Sequence, residues 1–291
     1  MCGRYASARA RIELLEEFGV QRDRVPAEPE PAPDYNVAPT KPVYAVLTRG
    51  RDHDRGHNRD GESDHDSEPG RGNGGGAPVR ELRLVRWGLV PSWAKDLAIG
   101  SRLINARAET VSEKPAFRRA FARRRCLLPA DGYYEWQQPG AAVTAQSPAR
   151  GGKSAAKQPF YISRADGRPL AFAGLYELWR DRERPADDPG AWVWSAAIIT
   201  TSAPDEIGRI HDRMPMIIDP GSWADWLDPA GEDLADLRSL LVPAGACGLA
   251  AYPVSTEVNS VRNNGPGLIE PAVPAGKGAP APPGSQGLLG E

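Results

Sequence analysis

The sequence predicts an α+β fold, and three observations lead there. Short runs of β-branched and aromatic residues outnumber the segments with helical periodicity. The two kinds do not alternate regularly, which disfavours a Rossmann-like or barrel α/β arrangement. Finally, one segment contains hardly an apolar residue and cannot bury enough surface to offset its ordering entropy, and two more are of low complexity, so all three read as additions to one domain. No internal repeat is visible.

Taken in order, residues 7–18 read as a first helix. Ser7 is its cap, Ile12, Leu15 and Phe18 share a face, and Gly19 ends it. A Pro-rich connection, 26–33, leads to Tyr35-Asn36-Val37-Ala38-Pro39-Thr40 and a strand over 43–47. From about 49 to 79 the composition collapses to Arg, Asp, Gly, His and Glu, which predicts a disordered insertion between two strands. Further strands are expected at 82–85, 126–128, 133–136, 160–162, 170–179, 192–201 and 247–254. Helices are expected at 113–124, capped by Ser112, and at 204–209, 222–227 and 232–241. A second insertion spans 138–157, and a Pro/Gly/Ala-rich tail spans 272–291. The domain is thus expected to occupy 1–271.

Bulk composition narrows the function classes. The chain has 291 residues, 40% of them hydrophobic, and a formal charge of −2, so any basic surface must be local. Three cysteines at 2, 126 and 247 provide neither a disulfide framework nor a zinc spacing, and they fit a reducing compartment. No stretch approaches the 18 or so apolar residues of a membrane span, and the N-terminus lacks a signal-peptide pattern. These features predict a soluble cytoplasmic protein without cofactor or metal, monomeric by default and with no obligate protein partner.

Candidate chemistry starts at Cys2. Removal of Met1 before a small residue leaves a free amine and a thiol on adjacent carbons, with ordinary pKa values near 7.7–8.0 and 8.5. An amine condenses with an aldehyde to an imine, and the neighbouring thiol then closes a five-membered thiazolidine. Gly3, Arg4 and Tyr5 follow at once, without the polar leader of a frayed end, which predicts a terminus built into the fold. His211 is the second candidate. The other histidines, 53, 57 and 65, fall in the first insertion, while His211 stands beside Arg213 where a proton shuttle would sit. Glu135 is the third. Alternation along Tyr133-Tyr134-Glu135-Trp136 puts Tyr133 and Glu135 on one face, and a carboxyl among aromatics has a raised pKa. Glu177, in Tyr176-Glu177-Leu178-Trp179, is its rival; either carboxylate can instead pair with an arginine.

Binding residues form a further set. Trp87 and Trp93 flank a Gly/Pro turn and offer a stacking platform for unpaired bases, or else core packing. Asn105 and Arg107 share a side if extended. Lys114, Arg118, Arg119, Arg123, Arg124 and Arg125 form a basic stretch suited to phosphate, or a solvated helix face.

Together, Met1-Cys2-Gly3-Arg4-Tyr5, Tyr35–Thr40, Trp87–Trp93, Asn105–Thr110, Gly132–Trp136 and His211–Pro215 resemble the SOS-response-associated peptidase (SRAP) family, also called abasic-site processing proteins. A weaker match at 254–264 contains Val258-Asn259. The matches run in order from 1 to about 270, with the insertions between them. The resemblance implies a curved, partly closed, mainly antiparallel sheet with short flanking helices. It also implies covalent capture of abasic sites in single-stranded DNA as a thiazolidine on Cys2, which shields the lesion in the SOS response. By motif position Cys2 is the nucleophile, Asn105 orients its amine, Glu135 is the acid/base and His211 assists proton transfer. Arg4, Asn36, Pro39, Trp87, Arg107, Trp136 and Arg213 hold the DNA. The peptidase label refers to self-processing at Met1, and a lyase activity is a further expectation. Such a protein would join the nucleoid when bound to DNA. A cysteine peptidase built on Cys2, and a non-covalent reader of single-stranded DNA, are the alternatives.

Overall fold

The computed structural model describes residues 2–49, 78–137, 157–185, 187–231, 233–242 and 248–272. The expected insertions and tail, and Cys247, fall almost wholly outside these residues. The strands that border the first insertion run up to it on both sides. β4 (Pro42–Arg49) and β5 (Val79–Trp87) pair antiparallel along their whole length, from Pro42 opposite Arg86 to Arg49 opposite Val79.

Two sheets organise the chain. β1 (Tyr5–Ser7), β3 (Asp34–Val37), β8 (Gly132–Gln137), β9 (Gln158–Arg164) and β13 (Leu249–Pro253) form one, in the order β13-β9-β8-β1-β3. The other contains β2 (Arg22–Asp23), β4, β5, β7 (Arg125–Ala130), β10 (Leu170–Arg180), β11 (Trp192–Ser202) and β12 (Arg213–Pro215), with β6 (Asn105–Arg107) paired to β11. Within it β4, β5, β11, β10 and β7 return on themselves. The ring closes where β11 meets β5 in parallel, Ser195 opposite Arg86 and Ala196 opposite Trp87. A curved sheet closed over so short a pairing is the partly closed α+β arrangement expected.

Burial on both faces explains why the strands read as nearly continuous apolar runs. One face of the ring, with Leu82, Leu127, Leu175 and Ile199, is covered by α1 (Arg11–Glu17), α2 (Arg118–Arg123), α4 (Trp223–Leu227) and α5 (Leu234–Ser239), which contribute Leu14, Phe121, Trp226 and Leu237. The inner face, with Leu47, Val85, Trp87, Leu128, Phe172 and Ile198, packs against Cys2, Tyr5 and Tyr133 of the first sheet. The far face of that sheet carries Tyr134 and Tyr161 beneath Val258 and Leu268.

Several boundaries differ from expectation. Ser7 ends β1 instead of capping a helix, and α1 starts at Arg11 behind Ala10, with no side-chain cap. The expected helix 113–124 shortens to α2, since only Ala120 and Phe121 of that stretch reach the core from a helix; Ser112 accepts hydrogen bonds from Arg238. α3 (Asp205–Gly208), α4 and α5 fall within the expected segments.

Candidate functional site

The place of Cys2 is set by β1. Tyr5 pairs with Val37 on one side and Tyr133 on the other, so the chain's first residues form an internal strand. Asp131, in the turn before β8, fastens them further. Its carboxylate accepts from the Ala8 amide at 2.6 Å and faces the Arg9 guanidinium at 2.9 Å. Cys2 is consequently 0% exposed. Burial pushes its thiol far above its ordinary range, and Glu135 adds to the effect.

Asn105 reaches Cys2 from the second sheet. β6 lies parallel to β11, Asn105 opposite Ile198, and the Asn105 Nδ2 donates to the Cys2 carbonyl at 2.8 Å. Its Oδ1 is buried without a partner among the described residues. Glu135 is 2% exposed. Desolvation pushes its carboxyl up to about 7, against the pull of the chain's amino terminus. A carboxyl at that value exchanges a proton near neutrality.

His211 is half-buried beyond the end of α3. Its Nδ1 accepts from the Arg213 amide at 3.0 Å, which assigns the ring proton to Nε2. Asp212 Oδ1 also lies 3.0 Å from Nδ1. Burial and the amino-terminal charge hold the imidazole below its ordinary pKa, so at neutral pH that contact is not an ion pair. Asn105 thus holds Cys2, while Glu135 and His211, from two further elements, both feel the amino-terminal charge.

The expected DNA-contact residues divide. Arg107 is exposed and lines an open cleft of about 650 Å³ with Arg209, Asp212 and Arg213. Arg213 is committed to Glu109 in a two-pronged pair at 2.6 and 3.1 Å and donates to the Thr200 carbonyl at 2.6 Å. Arg4 stacks over Trp136, 5.9 Å from its ring centre, and donates to Asn36 Oδ1 at 2.7 Å and the Val258 carbonyl at 2.9 Å. Trp136 is partly exposed and donates to Asn259 Oδ1 at 2.7 Å; Pro39 is also partly exposed.

Two expectations need correction. Asn36 is fully buried, and its amide donates to the carbonyls of Ser260 and Asn263, each at 2.9 Å. It pins the segment after β13 and has no surface to offer DNA. Trp87 is fully buried as well, donating to the Ile104 carbonyl at 3.0 Å. The turn after it requires Gly88, whose φ is +125° and whose Cβ would meet the Gly100 carbonyl oxygen at 2.5 Å. Trp93, 61% exposed, is the tryptophan of this segment that can stack.

The rival carboxylate and part of the basic stretch are structural. Glu177 accepts from Arg124 at 2.8 and 3.0 Å. Arg125 is buried and ties the carbonyls of Phe121, Ala122, Trp226, Asp228 and Gly231 together. Lys114, Arg118, Arg119 and Arg123 are exposed. Sequence reasoning missed Arg209 of the cleft, whose signal was its position two residues before His211. It also missed Asp131, whose signal was a turn acid opposite the N-terminal strand. Among the described residues, no group of three His, Cys, Asp or Glu side chains is placed to hold a metal, and no helix is long and apolar enough to cross a membrane.

Comparison with known proteins gives a consistent result. The chain is 36% identical over 270 residues to abasic site processing protein YoqW of Bacillus subtilis (strain 168), covering 93% of this chain and 99% of that protein. It is 31% identical to abasic site processing protein YedK of Escherichia coli (strain K12), covering 93% of this chain and 100% of that one. It is 30% identical to abasic site processing protein HMCES of Gallus gallus, covering 93% and 78%. A solved structure from Bordetella bronchiseptica matches with a TM-score of 0.61 at 26% identity, covering 87% of this chain and 100% of that one. One from Bacteroides thetaiotaomicron shares the fold with a TM-score of 0.67 at 24% identity, covering 94% and 100%. The family model described as SOS response associated peptidase (SRAP) matches residues 1–261, and the chain belongs to that family.

Proposed function

We propose that the protein captures abasic sites in single-stranded DNA covalently, through the amine and thiol of Cys2 after removal of Met1. The observation that carries this reading is the convergence on the amino terminus of the buried Cys2, of Asn105 holding its carbonyl, and of a carboxyl at about 7. The related proteins named for abasic-site processing supply the carrier of the aldehyde.

In this reading the Cys2 amine adds to the open-chain sugar aldehyde, and the Glu135 carboxyl gives its proton to the hydroxyl that leaves as water. The product is the protonated imine, whose nitrogen keeps the second amine hydrogen. The thiol then adds to the imine carbon, the C=N electron pair goes to nitrogen, and the thiol proton returns to the ionised Glu135, with neutral His211 assisting through Nε2–H. Hydrogen bonding by Asn105 fixes Cys2 so that both nucleophiles face one carbon. The cleft with Arg107 and Arg209, together with Trp93 and the Arg4–Trp136 pair, provides phosphate and base contacts. The adduct shields the lesion, and the protein acts as a monomer in the cytoplasm, on the nucleoid when bound.

A denaturing gel of purified protein with a single-stranded oligonucleotide carrying one abasic site tests this. A slow band present with free Cys2, and lost in Cys2→Ala and in a Met1-retaining form, is expected. No such band from protein whose Met1 is shown by mass spectrometry to be absent overturns the covalent reading. Binding retained by Cys2→Ala would then favour a non-covalent reader, and turnover of peptides would favour a peptidase.

A further inference from the structure

Two polar atoms in the barrel interior have no structural use. Tyr5 and Tyr133 are cross-strand neighbours, directly opposite in the β1–β8 register, and both rings are turned edgewise onto Phe172 at 5.8 and 6.0 Å. Both residues are 0% exposed, and both hydroxyls lack a hydrogen-bond partner among the described residues. An unpartnered buried hydroxyl is costly, whereas phenylalanine would fill the same volume without that cost. The rings share one apolar cluster with Cys2. Strand alternation puts Glu135 on the same face as Tyr133. Two orphan donors in the buried cluster that holds Cys2 imply an acceptor that arises there.

We propose that the paired hydroxyls of Tyr5 and Tyr133 donate hydrogen bonds to the Cys2 sulfur as it becomes a thiolate, and so stabilise the nucleophile. The proposal deepens the covalent reading given above and rests on it for its role in catalysis. Neither phenol gains or loses a proton in the step. The S–H bond breaks, its proton passes to the ionised Glu135, and the sulfur–carbon bond forms as the C=N electron pair goes to nitrogen. Burial keeps both phenols protonated far beyond neutral pH, so they remain donors throughout. The charged or titratable groups facing the thiol are Glu135, the amino terminus, Tyr5 and Tyr133.

The test is the double variant Tyr5→Phe/Tyr133→Phe in the full chain, with three measurements. Covalent capture under single-turnover conditions is expected to slow about tenfold or more, the worth of a hydrogen bond to a charged group. Alkylation of Cys2 by iodoacetamide, without DNA, is expected to require about one pH unit higher for the same rate. The melting temperature is expected to stay unchanged or rise, because a costly unpartnered group has been removed. A wild-type alkylation profile in the double variant overturns the proposal, and so does a fall in melting temperature, which would make the hydroxyls structural. Alkylation does not involve DNA. A wild-type protein that forms no crosslink, beside a double variant that shows the expected profile shift, would therefore overturn the covalent reading and leave this inference standing.

Discussion

Glu135→Gln exchanges a buried carboxyl for a neutral group of nearly the same shape, and its effect on stability depends on pH in a calculable way. The carboxyl is moved from an ordinary 4.5 to about 7 in the fold, chiefly by desolvation. Between those values the folded protein holds a proton that the unfolded chain has released. The native state binds more protons there, so its stability is fully present below 4.5 and falls as pH rises through about 7. At 1.36 kcal/mol per pH unit the carboxyl costs the fold about 3 kcal/mol by pH 8 relative to pH 4. Glutamine does not titrate. The variant is therefore expected to gain on the wild type across this window, reaching an advantage of about 3 kcal/mol at pH 8, while losing covalent capture. Urea unfolding of both proteins at pH 4.5, 6 and 8 measures this, and the difference between them cancels the titrating groups that do not interact with Glu135. A stability difference that does not change with pH would refute the reasoning, because the carboxyl would then be unperturbed.

Other consequences follow from the same geometry. Asn105→Ala removes a single neutral hydrogen bond to the Cys2 carbonyl and is expected to cost about 1 kcal/mol of stability but far more in capture rate, read by urea unfolding and single-turnover kinetics. Asp131→Ala frees the Ala8 amide and Arg9. It should cost roughly 1–3 kcal/mol and raise the native-state alkylation rate of Cys2 as β1 loosens. Trp87→Ala empties a fully buried site and should destabilise by about 3–5 kcal/mol. Trp93→Ala should stay within about 0.5 kcal/mol of the wild type and weaken binding of a single-stranded oligonucleotide in a fluorescence titration.

The long strands were legible because their β-branched and aromatic runs are buried on both faces. Periodicity located β4, β5, β10 and β11 within a few residues. The short strands were not legible. β6 is Asn-Ala-Arg and β12 is Arg-Met-Pro; each is a strand because β11 offers it a free edge, a tertiary fact. Ser7 has the chemistry of a cap, but the edge of Tyr133 claimed its neighbours for a sheet. The candidate residues of the site were visible as residue types, while their roles depended on partners. Glu135 and Glu177 have the same aromatic setting in sequence; in the fold Glu177 pairs with Arg124, whereas Glu135 faces Cys2 and the chain's amino terminus. Likewise Trp87 and Trp93 frame one turn, and the closure of β5 onto β11 buries the first and leaves the second outside.

The central position of β1 has a temporal consequence. β3 follows β1 closely in the chain, but the other neighbour, β8, is made much later, and Ala8 and its clasp Asp131 stand 123 residues apart. At typical synthesis rates that separation is on the order of ten seconds. During that interval the strand lacks one of its two partners, and the residue before Cys2 is open to whatever removes the initiator methionine. Once the sheet closes, residue 2 is buried against it while Met1 remains. Maturation of the proposed nucleophile is thus a race between trimming and folding, and the chain's own topology sets the length of the start.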